Sequence, residues 1–199
     1  MTGISRSPWG RASGLCLALA ACGGRAGTGA KGVAPTVTRV IPLSSAIVLE
    51  TAGPPPSDTT VTFPAGAPRV VVLRHGPPEN VVFAELSFAP TAFTADSGFP
   101  VRIDIRPRPG VYGLTLTTSV PFRGGASLVF KYPRYFSAPA RARAVYGRDA
   151  LYERALSVGE VLAAGQSLSL LPTTRPATDN LQAPIRSAGT YLVAAPSAP

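Results

Sequence analysis

The sequence has very few of the residue types from which most metal and catalytic centres are built. Its 199 residues include two Cys and one His. Two cysteines cannot supply a disulfide framework or a multi-cysteine metal site, and one histidine cannot supply a multi-histidine site. A Ser-His-Asp mechanism would have to use His75, which lies in a Gly/Pro-rich turn. The sequence therefore predicts no catalytic set, no metal and no cofactor.

Acidic residues are also scarce, and they are scattered. The chain has ten Asp and Glu against 19 Lys and Arg, which gives a formal net charge of +9. No spacing pairs two carboxylates in the way that glycoside hydrolysis needs. Asp149 and Glu153 are the nearest approach, and we expect ion pairs with Arg148 or Arg154 there. The positive charge favours a solvated basic face or attraction to an acidic envelope polymer.

The chain lacks an apolar run long enough to span a bilayer. Its first apolar run, Ala12 to Ala21, has ten residues, whereas a membrane-spanning helix needs about 20. Arg6 and Arg11 precede the run, and small residues end it. This is the layout of a secretory signal peptide. We therefore predict that residues 1–21 are removed on export.

The end of that segment, Leu19-Ala20-Ala21-Cys22, resembles the lipobox of bacterial lipoproteins. The resemblance implies a diacylglycerol on the Cys22 thiol and cleavage immediately before Cys22. It predicts an exported protein held in the cell envelope by its lipid, with nucleic acid excluded as a partner. Gly23 stands where an aspartate would mark inner-membrane retention, which favours the outer membrane. Because Cys16 would be removed with the signal, lipidation also accounts for the one remaining thiol.

The remainder is rich in residues that interrupt regular structure. With 22 Pro and 20 Gly, the composition favours many short strands joined by turns. Residues 22–35 are glycine-rich and predict a flexible tether. Residues 36–195 then form the folded domain, with residues 53–58 as the best candidate for an internal boundary. Residues 196–199 are predicted to be a disordered tail.

Period-2 patterns predict about ten to twelve strands, and therefore an all-β antiparallel sandwich or barrel. Val101–Arg106 alternates cleanly between apolar and charged residues. Arg69–Arg74 is apolar on both faces, which predicts a central strand. The segments 141–146 and 150–156 predict a hairpin around Gly147. Residues 158–164 fit a helical turn or a strand equally well, and residues 172–184 predict a polar loop.

From residue 82 onward, the order of features resembles immunoglobulin-like β-sandwich modules of bacterial surfaces, and the sandwich shared by netrin receptors and zonula-occludens proteins. The motifs that carry the resemblance are Pro90-Thr91-Ala92-Phe93, Leu128-Val129-Phe130-Lys131-Tyr132-Pro133 and Gly189-Thr190-Tyr191-Leu192-Val193-Ala194. The match covers residues 82–195, and the long segment 173–184 departs from it. The resemblance implies an immunoglobulin-like β-sandwich that serves as a spacer, adhesion or interaction module without enzymatic activity.

One cluster of aromatic and basic residues is a candidate ligand or partner patch, because aromatic rings beside Arg stack on sugar rings and on protein surfaces. Packing at the end of the sandwich is the simpler interpretation of these residues. Three functions remain: a lipid-anchored binding or structural module, a glycan- or small-ligand-binding lipoprotein that uses this patch, and a hydrolase with an unrecognised site. The patch consists of Tyr132, Arg134, Tyr135, Phe136, Arg141 and Arg143.

Overall fold

The structure, a computed structural model, describes residues 38–132 and 136–198. The predicted signal peptide, Cys22, the predicted tether, Arg134 and Tyr135 lie outside the described residues. The described chain forms twelve strands and two short α-helices: β1 (Arg39–Pro42), a 3-10 turn (Leu43–Ser45), β2 (Ala46–Val48), β3 (Thr59–Pro64), β4 (Arg69–Arg74), β5 (Val82–Phe88), β6 (Pro100–Pro107), β7 (Gly113–Thr118), β8 (Ala126–Lys131), α1 (Ala140–Tyr146), α2 (Asp149–Ala155), β9 (Ser157–Val161), β10 (Ser167–Leu170), β11 (Asn180–Ile185) and β12 (Gly189–Pro196).

These strands form two antiparallel sheets. The larger sheet has the order β1-β10-β9-β12-β7-β6-β3, and β2 pairs with β12 beside this path. The smaller sheet has the order β11-β8-β5-β4. The inner faces of both sheets contribute to one continuous hydrophobic cluster. This architecture confirms the prediction of an all-β antiparallel sandwich.

The alternation seen in the sequence explains how the inner faces are built. In β6, the side chains of Val101, Ile103 and Ile105 are fully buried, whereas Arg102 and Arg106 point to solvent. Successive strand residues point to opposite faces of a sheet, so one face of β6 enters the core. This strand is therefore placed as the sequence predicted.

Four phenylalanines fill one end of the core. The ring centroids of Phe63 and Phe88 lie 5.8 Å apart, those of Phe88 and Phe93 5.5 Å, and those of Phe93 and Phe122 5.1 Å. A backbone bridge also joins Phe93 to Phe122. These tilted contacts are favourable for aromatic rings. The Pro90–Phe93 motif singled out in the sequence is thus a packing motif.

A second, smaller core lies on the other face of the larger sheet. In β12, Tyr191 and Val193 face the main core, whereas Leu192 and Ala194 belong to this second cluster. Ile41 of β1 and Leu168 of β10 are among the other members, and they lie opposite each other in the β1–β10 pair. Because β12 is covered on both sides, its sequence is almost continuously apolar.

The predicted hairpin at 141–156 is wrong, because both segments are helical. α1 ends at Gly147, which has a left-handed backbone (φ +70°) and donates its N–H to the Arg143 carbonyl. A glycine in this conformation is a common helix C-terminus. Asp149 then begins α2, where an acidic side chain favours the helix dipole. The predicted turn does interrupt regular structure, but it separates two helices instead of two strands.

Four further segments complete the comparison. Residues 158–164, for which helix and strand were both possible, begin within β9, and β11 begins inside the segment predicted to be a polar loop and ends one residue beyond it. Residues 53–58 connect strands of the same larger sheet, since β2 precedes them and β3 follows them. β12 extends to Pro196, and the Ser197 N–H donates to the Ser45 carbonyl at 2.7 Å.

Candidate functional site

The described members of the predicted aromatic/arginine patch make contacts within the chain: Tyr132 and Phe136 pack into the fold, and Arg141 and Arg143 bond to neighbours at the surface. The Tyr132 side chain is buried, with 1% of the residue exposed, and Phe136 packs against the main core. The Arg141 guanidinium donates to the Ser44 carbonyl at 2.8 Å, and Arg143 forms an ion pair with Asp149 at 3.0 Å. The structure therefore does not present Tyr132 as an open stacking surface for a ligand.

Tyr132 instead joins the end of β8 to α2 and to the segment before β11. Its hydroxyl donates to Glu153 Oε1 at 3.0 Å and accepts a hydrogen bond from Arg175 Nη1 at 2.9 Å. Arg175 also donates to the carbonyls of Glu153 and Leu156. Burial raises the pKa of Tyr132 to about 12, although the positive charge of Arg175 opposes the shift. Sequence reasoning missed Arg175 because it is distant in the chain from Tyr132.

His75, the single histidine, lies immediately after β4 and is buried. Its Nδ1 is 2.8 Å from the Pro54 carbonyl oxygen. A carbonyl can only accept, so this nitrogen carries the hydrogen. The imidazole also meets the rings of Phe83 and Tyr112 edge-on, with centroid distances of 5.2 and 6.1 Å. These contacts hold His75 as part of the core end.

Two acidic residues, Asp104 and Asp149, pair with nearby arginines. Asp104 accepts hydrogen bonds from Arg102 at 2.9 Å and from Thr60 at 2.6 Å. The hydrogen bond from Arg102, followed by that from Thr60, lowers the pKa of Asp104. Asp149 pairs with Arg143, where we had expected Arg148 or Arg154. Within residues 38–132 and 136–198, no group of three His, Cys, Asp or Glu side chains is placed to hold a metal ion.

The most unusual surface is the edge strand β4. The sequence predicted a central strand here, but β4 ends the order of the smaller sheet and pairs only with β5. As a result, Val70 and Val72 are 52% and 43% exposed, while Val71 and Leu73 enter the core. Arg69 and Arg74, at the two ends of the strand, are exposed as well. The prediction failed because an apolar outer face usually means that another layer covers it.

The free edge of β4 borders a groove of about 240 Å³. Pro56 and Thr59 line the groove together with the stretch from Val72 to His75. The Arg74 guanidinium donates to the Asn80 carbonyl at 3.0 Å, which holds this side chain at the end of the groove. The outer face of β4 is thus exposed, and the groove leaves open space beside the Val72–Arg74 part of the strand.

Edge strands normally carry features that prevent pairing with other chains, and proline is one of them. Of the four strands that end the two sheet orders in the described chain, β1, β3 and β11 contain Pro42, Pro64 and Pro184 within their bounds. β4 contains no proline. By this criterion its outer edge is the least protected of the four against strand addition, and the irregularity in its pairing with β5 is confined to the Leu73–Arg74 end.

A cleft of about 350 Å³ lies on the opposite side of the sandwich. Glu160 of β9, together with Leu171 and Pro172 after β10, comes from the larger sheet, and Pro184 comes from β11 of the smaller one. Thr38 and Arg186 complete the lining. The cleft therefore brings one carboxylate and one guanidinium beside three apolar side chains and one threonine.

One side chain holds the carboxylate of this cleft directly, and a second supports the first. The Ser187 hydroxyl donates a short hydrogen bond to Glu160 Oε1. The hydroxyl of the buried Tyr191 donates to the Ser187 carbonyl at 2.7 Å. Burial raises the pKa of Tyr191 to about 12, so this donor stays protonated at neutral pH. Sequence reasoning missed Glu160 because β9 was not assigned as a strand.

Among the residues that the structure describes, no helix combines the length and the apolar character needed to cross a membrane. Comparison with known proteins gives no relative from which a function could be taken: no protein-family model, no curated protein and no solved structure matches this chain.

Proposed function

We propose that this chain is a lipid-anchored protein of the bacterial cell envelope whose β-sandwich acts without catalysis, as an interaction module. Its contact strand is β4, which takes up an extended segment of another envelope protein as an additional strand. The exposed, proline-free edge of β4 is the observation that carries this function. Strand addition supplies affinity through backbone hydrogen bonds and specificity through alternate side chains.

The anchor is supported by the lipobox-like stretch at 19–22 and by the basic, apolar segment before it. A thioether-linked diacylglycerol brings two acyl chains, and two chains are enough for stable membrane attachment. An outer-membrane location is favoured by Gly23. The resemblance of residues 82–195 to immunoglobulin-like surface modules supports an interaction role as well.

The chemistry of β4 defines the partner segment. Val70 and Val72 would pack beside small or β-branched side chains on the same face. Arg69 and Arg74 flank the two valines, so acidic residues at both ends of the partner strand would complement them. The partner proposed here is therefore an extended segment with an apolar centre and acidic flanks.

The same charges argue against a second copy of this chain as the occupant. If β4 paired with itself in a centred antiparallel register, the Arg69 end of one copy would lie beside the Arg74 end of the other at both ends of the pair. Like charges brought close together in this way oppose the association. Dimerisation through β4 is thus disfavoured by the residues that favour an acidic partner.

The anchor is tested by expressing the full precursor in a bacterium with an alkyne-tagged fatty acid, beside Cys22→Ala. We expect label on the wild-type protein in the envelope fraction and none on the variant. Label that persists on Cys22→Ala would place the lipid elsewhere. Wild-type protein without label would overturn the anchor.

The contact strand is tested by placing a photo-reactive benzophenone amino acid at Val72 in the full chain, in its own envelope. Val40 is the matched control, because it is an exposed valine on another edge strand, β1. We expect a discrete cross-linked product from position 72 and none from position 40. Equal products from both positions, or none from position 72, would contradict the role of β4.

A further inference from the structure

Glu160 occupies a position at which the strand pattern calls for an apolar residue. Val158, two residues earlier in β9, points into the main core and is fully buried, so Glu160 lies on the same face. In the adjacent strand, Val193 is opposite Val158 and the core residue Tyr191 is opposite Glu160. A carboxylate therefore stands at the margin of the core, where an apolar side chain would stabilise the fold more.

Hydrogen bonds from the surrounding fold hold this carboxylate in place. Tyr191 fixes the backbone of Ser187, and Ser187 in turn donates to Glu160 Oε1. Supporting hydrogen bonds of this kind hold a binding group in place before the ligand arrives. A local rule that is broken at a supported, partly open position is the expected signature of a functional site.

Arg186 lines the same cleft, yet its guanidinium forms no ion pair with the Glu160 carboxylate. Among the described residues, neither Glu160 nor Arg186 takes part in an ion pair. Charged groups in a cleft are most strongly stabilised when a ligand supplies the opposite charge to each. The ligand that does so carries both an ammonium and a carboxylate.

The size and the walls of the cleft restrict the chemical class of the ligand further. A volume of about 350 Å³ lies near the lower end for small-molecule sites, which are about 300–1,000 Å³. Leu171, Pro172 and Pro184 offer an apolar surface beside the two charged groups. A compact ligand with one hydrocarbon side chain fits these walls.

We infer that this cleft binds a free α-amino acid with an apolar side chain. The ligand ammonium donates to Glu160, the ligand carboxylate accepts from the Arg186 guanidinium, and the hydrocarbon side chain lies against Leu171, Pro172 and Pro184. A planar guanidinium can hold a carboxylate through two parallel hydrogen bonds, which gives the ligand a fixed orientation. This site is on the opposite side of the sandwich from β4, and it does not depend on the function proposed for that strand.

The experiment is equilibrium dialysis of the purified full-length chain against radiolabelled L-leucine. Two unlabelled competitors each lack one charge: 3-methylbutylamine has no carboxylate, and 4-methylpentanoate has no ammonium. We expect saturable leucine binding that unlabelled leucine displaces. Either competitor should be weaker than leucine by about tenfold or more, because each loses one charge-assisted contact.

Three variants connect this binding to the cleft. Glu160→Gln and Arg186→Gln should each weaken leucine binding by about tenfold or more. Arg154→Gln, which changes an exposed arginine of α2 outside the cleft, should leave it unchanged. Thermal melting of each variant checks that the fold is retained. Because Glu160→Gln preserves size and keeps one oxygen to accept from Ser187 while it removes the charge, it is the most informative of the three.

Several results would overturn the inference. Absence of leucine binding to the wild-type chain would do so, as would unchanged affinity in a folded Glu160→Gln variant. If 3-methylbutylamine competed as well as leucine, the cleft would bind simple cations, and the assignment of Arg186 to a carboxylate would be wrong. Displacement by D-glucose at similar concentration would indicate a sugar site in place of an amino-acid site.

Discussion

Tyr132 at the end of β8 donates its phenolic hydrogen to Glu153 Oε1 in α2, across 3.0 Å. Arg175 donates to the same phenolic oxygen at 2.9 Å. This junction connects the helical pair α1–α2 and the β10–β11 connection to the smaller sheet. Tyr132, which the sequence predicted to belong to a ligand patch, is therefore part of a structural contact. The contribution of this junction to stability can be measured.

We expect Tyr132→Phe to lower the free energy of unfolding by about 1–3 kcal/mol, since a buried hydrogen-bonding group loses its partners. Arg175→Met, which removes the second member of the junction, should have a comparable effect. Urea denaturation of the two single variants and of the double variant measures the coupling between them. The cost of the double variant should be less than the sum of the two. Simple additivity would mean that the two side chains act independently.

Stability should also decrease at high pH because of the buried tyrosines. Burial raises the pKa of both Tyr132 and Tyr191 to about 12, whereas an unperturbed tyrosine has a pKa of about 10. Between these values the unfolded chain has lost phenolic protons that the folded chain retains, so the free energy of unfolding falls as pH rises. Their contribution is complete below about pH 10 and is lost progressively up to about pH 12.

Urea denaturation at a series of pH values between about 8 and 11.5 measures how steeply the free energy of unfolding falls with pH. Tyr191→Phe should show a shallower decrease above about pH 10, because one of the groups that drives it has been removed. Absorbance at 295 nm follows phenolate formation in the same samples. A slope that is identical in wild type and variant would show that Tyr191 titrates normally in the folded chain.

Gly159 is required where β9 faces the second core. A Cβ atom added at this position would lie 2.6–2.9 Å from three side-chain carbons of Leu168. Gly159→Ala should therefore destabilise the fold by about 1–3 kcal/mol, as overpacking does. Gly189→Ala in β12 is the control, since its nearest neighbour would be 3.4 Å away, at ordinary contact distance. Thermal denaturation compares the two, and equal melting temperatures would mean that Leu168 can move aside.

Much of the sandwich follows from period-2 patterning, and the failures have specific causes. The helices α1 and α2 were missed because Gly147-Arg148-Asp149 also fits a hairpin turn. The composition of both segments indicates helix, because Ala, Arg, Leu and Glu have high helix propensity. Val145 is the single β-branched residue across both helices. β11 was missed because Pro184 interrupts it, although Leu181, Ala183 and Ile185 alternate into the core.

The candidate surfaces were harder to predict for a different reason. Whether β4 is central or at an edge depends on which strands pair with it, and pairing between distant segments leaves no mark in a single strand's sequence. Glu160 is a misplaced charge only once β9 and its register against β12 are known. Both features depart from the local apolar pattern. The sequence contains these departures, but their meaning depends on the strand topology.

The role of β4 predicts the effect of one added charge. Val72→Lys places an ammonium on the exposed face of the edge strand, a feature by which edge strands avoid pairing. Because Val72 is 43% exposed, we expect the free energy of unfolding to change by no more than about 0.5 kcal/mol. Photo-cross-linking from position 70 should be lost in this variant and retained in Val40→Lys, the same change on β1. Retention of the cross-link in a folded Val72→Lys chain would show that the partner does not add to this edge.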